Sequence, residues 1–152
     1  MAVNQHKATT MNSHETSVAP ANADQIIGFV DRIAAGFKPQ RIVLFGSYAR
    51  GAPTADSDVD LLITRRRWST SPLTAAGKMR LKLGVPFPMD LVVRSDADLE
   101  RRIARGDEFL REILETGITL YAADDKRVGR QGRIRLRRRL RGAALAQEVA
   151  AG

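Results

Sequence analysis

Residues 41–63 read RIVLFGSYARGAPTADSDVDLLI, and residues 87–93 read FPMDLVV. Ile42-Val43-Leu44-Phe45 is an unbroken apolar run, the pattern of a strand buried on both faces, and Gly46-Ser47 ends it. Gly51, Pro53, Asp56 and Ser57 mark residues 48–57 as a connector. Val59 to Ile63 reads as a second strand and Phe87 to Val93 as a third. Three acids, Asp58, Asp60 and Asp90, thus stand in sequence that otherwise looks like buried strand. Such placement is costly unless something cationic compensates it.

The spacing says what the cation would be. Side chains alternate faces along a strand, so Asp58 and Asp60 are expected to point the same way while Val59 and Leu61 point into the core. Two carboxylates a few ångströms apart repel when ionised and form a hard-oxygen site for Mg²⁺. Asp90, in a neighbouring strand, can add a third ligand on that face. Mg²⁺ keeps several ligand places for water and phosphate oxygens, which suits a nucleoside-triphosphate enzyme. Gly46 permits close approach of backbone to phosphate, and Ser47 offers a hydroxyl and an N–H. Arg50 is placed to neutralise triphosphate charge. Any one of these features alone is commonplace; their combination is specific, and the chemistry expected of it is metal-assisted transfer of a nucleotidyl group.

Outward from this centre, helices alternate with the strands. Ile26, Ile27, Val30, Ile33 and Ala34 have helical spacing, with Asn22 or Asp24 as N-cap and Gly36 as the stop. Arg65 to Trp68 closes the second strand, and a helix is expected over about 71–83. Gly84-Val85-Pro86 is a turn, and Ser95-Asp96-Ala97-Asp98 resembles a helix start with an acid three residues on. Another helix runs around Phe109, Leu110, Ile113 and Leu114 to Gly117, before a short last strand from Ile118 to Tyr121. The expected fold class is α/β (α+β), a small mixed sheet of about three to five strands with helices packed on it.

Residues 1–22 are polar and unpatterned and are expected to be disordered, with Met11 an alternative start. The histidines, His6 and His14, fall there, which leaves carboxylates as the metal ligands of the body. No apolar run reaches membrane-spanning length, no signal-like segment opens the chain, and there is no cysteine, which together fit a cytoplasmic protein. The net charge of +8 has one location: residues 126–152 hold nine basic side chains against the single acid Glu148, leaving the body neutral. The chain therefore divides into a disordered segment (1–22), a catalytic domain (23–123) and a basic tail (124–152). The tail is expected to be disordered, or a loose amphipathic helix through Ile134, Leu136, Leu140 and Leu145, whose deletion leaves activity intact. Any contact with nucleic acid would come through that tail.

GSYARGAPTADSDVDLLI resembles the GS-x₁₀-D-x-D signature of polymerase-beta-type nucleotidyltransferases, and Asp90 stands where their third acid belongs. RRIARGDEFLREILETGITLY is similar to the minimal nucleotidyltransferases of that superfamily, and the resemblance covers about residues 24–123. It implies the superfamily's palm fold. Asp58 and Asp60 would hold two Mg²⁺ ions, Asp90 would ligate the acceptor-side metal, and Gly46 and Ser47 would bind the β- and γ-phosphates. ATP as the AMP donor is likewise implied by the resemblance alone. The implied acceptor is a tyrosine of a partner HEPN-type toxin, with this chain as antitoxin, in a homo- or hetero-oligomer. Alternatives are a small-molecule, aminoglycoside-type nucleotidyltransferase, or a non-catalytic antitoxin that acts by binding alone. A polymerase role is disfavoured by the neutral body.

Overall fold

A computed structural model describes residues 20–151. The disordered segment expected over 1–22 lies outside the described residues except for residues 20–22. The elements in chain order are α1 (Ala23–Phe37), β1 (Arg41–Phe45), α2 (Gly46–Arg50), β2 (Val59–Arg65), α3 (Pro72–Leu83), β3 (Met89–Ser95), α4 (Asp96–Ala104), α5 (Glu108–Thr116), β4 (Ile118–Ala122) and α6 (Lys126–Ala151).

The strands form one mixed sheet in the order β3-β2-β1-β4. β1 is antiparallel to both β2 and β4, whereas β2 and β3 run parallel. Alternation along the strands divides the core in two. Ile42, Leu44, Leu61, Ile63, Ile118 and Leu120 face a larger layer with Ile26, Phe29 and Ile33 of α1, Met79 of α3 and Leu136 of α6. Val43, Phe45 and Leu62 face a smaller layer with Leu110 and Ile113 of α5, flanked by Leu99 and Ile103 of α4. β1 is therefore covered on both faces, as its apolar run requires.

Local signals start most helices. Asn22 and Gln25 form a reciprocal capping box on α1, and Ser71, Ser95 and Asp107 each accept a backbone N–H at the start of α3, α4 and α5. The expected stop of α1 at Gly36 is displaced: the helix runs through Phe37 and ends on Lys38, which is left-handed at φ 48° and returns its N–H to Ala34. Pro39 then prevents continuation. The connector expected over 48–57 begins instead as the short helix α2, and β2 and β3 each run two residues beyond their expected ends because they pair with one another to Arg65 and Ser95.

The largest departure concerns the basic segment. Residues 126–151 are one helix laid along β4, not a loose extension. Leu136 is fully buried. Gly132 lets the helix lie on strand backbone, since a Cβ there would stand 1.8 Å from the Thr119 carbonyl oxygen. Arg133 donates to the Leu120 carbonyl at 3.0 Å and pairs with Asp31 at 2.7 Å, and Arg137 pairs with Asp24 at 3.2 Å. The apolar stripe was visible as a pattern, but its partner, β4, belongs to the folded sheet. Among the described residues no helix is long and apolar enough to cross a membrane.

Candidate active site

Strand pairing assembles the site. Phe45, the last residue of β1, is opposite Asp60 in β2, and Asp60 is in register with Asp90 in β3. Gly46 therefore emerges from β1 beside Asp60, with Asp90 on the far side. Val59 and Leu61 are fully buried in the larger core, as expected from the alternation, so Asp60 takes the opposite face. Asp58 lies in the turn just before β2 rather than inside the strand. Asp58 and Asp90 are exposed and Asp60 is half-buried, so the acids occupy an open end of the sheet.

Gly46 is there for room and for conformation. Its φ of +76° is left-handed, and a Cβ on it would meet Asp60 Oδ2 at 2.2 Å. Gly46 opens α2, whose remaining residues include Ser47 and Arg50. The helix is anchored by the buried Tyr48 and Ala49, and the Tyr48 hydroxyl accepts the Ala21 backbone N–H at 3.1 Å. At its other end Gly51, also left-handed, returns its N–H to Ser47 and Tyr48.

The electrostatics centre on Asp60. Partial burial, then the charges of Asp90 and Asp58, raise its carboxyl from the ordinary 3.8 to about 6, against a smaller lowering by Arg50. The predicted residues are thus coupled in space: Gly46 touches Asp60, and Asp58, Asp90 and Arg50 all act on it. Ser47 follows Gly46 on the same short helix.

These residues fit a divalent cation in donor chemistry. All three are hard carboxylate oxygens, and their mutual repulsion at a half-buried position is what a cation relieves. They do not form a closed cage: among the described residues no three or more Asp, Glu, His or Cys side chains gather tightly enough to enclose an ion. An open set suits Mg²⁺, which completes its shell with water and phosphate oxygens.

One contributor had no local signal in the sequence. Arg139 of α6 donates from Nη1 to the Ala49 carbonyl, ninety positions away in the chain, and so holds the end of the helix that carries Ser47. A Cβ on Gly51 would stand 3.3 Å from the Arg139 Cβ, so glycine there accommodates the contact.

Comparison with known proteins gives three findings. Residues 24–118 match the family model described as a nucleotidyltransferase domain. A protein of Methanocaldococcus jannaschii, provisionally named a protein adenylyltransferase, is 37% identical over 82 residues, which cover 54% of this chain and 78% of that protein. A crystal structure of a Sulfolobus solfataricus protein, provisionally named a nucleotidyltransferase, aligns with a TM-score of 0.49 at 16% identity, over 68% of this chain and 82% of that one.

Proposed function

We propose, on the premise that this chain belongs to the nucleotidyltransferase domain family and is an enzyme of that kind, that it moves AMP from ATP to a tyrosine hydroxyl of a partner HEPN-type toxin, as its antitoxin. The observation that carries the transfer reading is the meeting of Gly46, Asp60 and Asp90 at one corner of the sheet. The protein acceptor is supported by the name borne by the Methanocaldococcus jannaschii relative. The toxin as acceptor is supported by the resemblance to minimal nucleotidyltransferases.

The chemistry balances as one displacement. The acceptor oxygen bonds to the α-phosphorus, the bond from that phosphorus to the bridging oxygen of the β-phosphate breaks, and pyrophosphate leaves. The Gly46 backbone and Ser47 bind the outer phosphates, and Arg50 lends them positive charge. The exposed Asp90 carboxylate takes the proton from the acceptor hydroxyl. Asp58, Asp60 and Asp90 would hold two Mg²⁺ ions, which when bound supply Lewis-acid activation and charge neutralisation.

The test incubates the protein with α-³²P-ATP or γ-³²P-ATP, Mg²⁺ and lysate of its own host, with Asp60→Asn as control. Label entering a protein band from the α position alone, and only with Asp60 intact, is expected, and the band identifies the acceptor. Label from the γ position that appears with the wild type and not with Asp60→Asn would refute nucleotidyl transfer. Label on small molecules alone would refute the protein acceptor.

A further inference from the structure

The cations of α6 fall into two groups. Arg133, Arg137 and Arg139 face inward contacts, with Asp31, Asp24 and the Ala49 carbonyl respectively. Lys126, Arg127, Arg130, Arg135, Arg138 and Arg141 are exposed, and their side chains make no hydrogen bond or ion pair among the described residues. At 3.6 residues per turn the five arginines of this second group cover an arc of about 140°, opposite the buried Leu136. Arg127 and Arg138, and likewise Arg130 and Arg141, repeat at three turns, about 16 Å apart along the helix.

That arrangement is unfavourable in isolation. Arg127 and Arg130, Arg135 and Arg138, and Arg138 and Arg141 are like-charge pairs at i,i+3, which destabilise a helix. Relief from within the helix is missing, because the sequence has no acid between Asp125 and Glu148. A face that only had to be soluble would mix both signs.

We propose that the outward face of α6 is a docking surface for the phosphodiester backbone of duplex DNA, gripped without regard to sequence. Eight of the nine basic side chains beyond residue 125 are arginine, whose planar fork pairs two-to-one with phosphate oxygens. The segment contains no Phe, Tyr or Trp on which unpaired bases could stack, which disfavours a single strand. The B-form major groove admits an α-helix, whereas that of duplex RNA is too deep and narrow. A membrane surface is disfavoured because Leu136 and Leu140 of the apolar stripe are packed in the core, and the exposed Ile134, Leu145 and Val149 are too few for a helix face embedded in lipid. An acidic protein is disfavoured because within the cationic stretch 127–141 Ile134 alone adds exposed apolar surface, and Leu145 and Val149, exposed on the same face, lie beyond its end, so the arginines do not surround the apolar centre of a protein interface. This surface is separate from the transfer reading and stands or falls without it.

The experiment uses the full chain and fluorescence anisotropy with a labelled 20-base-pair DNA of arbitrary sequence. If six cations meet phosphates, log Kd against log salt has a slope of magnitude about 5, so affinity falls roughly 10³-fold between 50 and 200 mM salt. The variant Arg130→Gln/Arg135→Gln/Arg138→Gln/Arg141→Gln is expected to lower that slope to about 2 while transfer activity is unchanged. Arg66→Gln/Arg67→Gln, exposed in the connection after β2, keeps full binding. Should the fourfold variant not fold, Arg130→Gln/Arg141→Gln alone is expected to lower the slope by about 2, and an unchanged slope in that pair overturns the proposal. Tighter binding of single-stranded DNA, duplex RNA, polyglutamate or anionic vesicles than of duplex DNA overturns the proposal. So does a salt slope near zero, or binding that survives the fourfold substitution.

Discussion

Replacing Asp60 by Asn should make the metal-free protein more stable at neutral pH, although it removes a central residue of the site. Partial burial and the neighbouring Asp90 and Asp58 raise the Asp60 carboxyl from 3.8 to about 6. The folded state therefore binds this proton more tightly than the unfolded chain does. The stabilising contribution is complete below 3.8 and is lost as pH rises through about 6, where the ionised carboxylate sits against like charge. At about 1.4 kcal/mol per pH unit that gap is an upper bound of about 3 kcal/mol. Asp60 is only half-buried, so solvent screening reduces the figure to about 1–2 kcal/mol. Asn has nearly the same shape and no charge. Urea unfolding in EDTA should show Asp60→Asn more stable by about 1–2 kcal/mol at pH 8, with the two proteins converging towards pH 4. Millimolar Mg²⁺ at pH 8 should then raise the wild type and leave the variant unmoved, because a cation that binds the folded state stabilises it by mass action. An Asn variant less stable than wild type at pH 8 without metal, or a difference that does not change with pH, would refute the account of Asp60 as a strained anion.

Four further outcomes follow from the contacts of the site and of α6. Gly46→Ala forces a Cβ against Asp60 Oδ2 in a left-handed conformation; transfer should fall at least about 10²-fold, read as initial rates on soluble protein. Gly132→Ala drives a methyl into the Thr119 carbonyl and should lift α6 from β4, lowering stability by about 2–3 kcal/mol in urea. Leu136→Ala opens a cavity beneath the same helix and should cost about 2–4 kcal/mol, and truncation after residue 125 should leave a chain without cooperative unfolding by circular dichroism; a truncated chain as stable as the full one would show that α6 contributes nothing to the core.

Much of this architecture was legible because it is local. The unbroken apolar run Ile42 to Phe45 and the apolar stretch Val59 to Ile63 mark strands, and Ser71, Ser95 and Asn22 announce helix starts through hydrogen bonds that span three residues. The candidate site was legible because a glycine at the end of β1, Asp60 on β2 and Asp90 on β3 come together once the strands pair, with Asp58 just ahead of β2. Gly36 misled because a glycine permits a helix to stop without requiring it; the left-handed Lys38 before Pro39 took that role. The basic segment misled because its charge density outweighed a narrow apolar stripe in any reading of composition.

The sequence by itself determined the strands and most helix starts, and picked out the candidate set Gly46, Ser47, Asp58, Asp60 and Asp90, since periodicity, turn chemistry and residue type act over a few positions. Only the tertiary structure decided that Asp60 is the most perturbed acid, because burial and the field of Asp90 exist only once β2 and β3 lie in register. It also decided that α6 belongs to the core and reaches the site through Arg139 and Ala49. A contact between residues ninety positions apart leaves no local trace in the chain; it arises when β4 offers Gly132 a strand backbone against which a helix can lie.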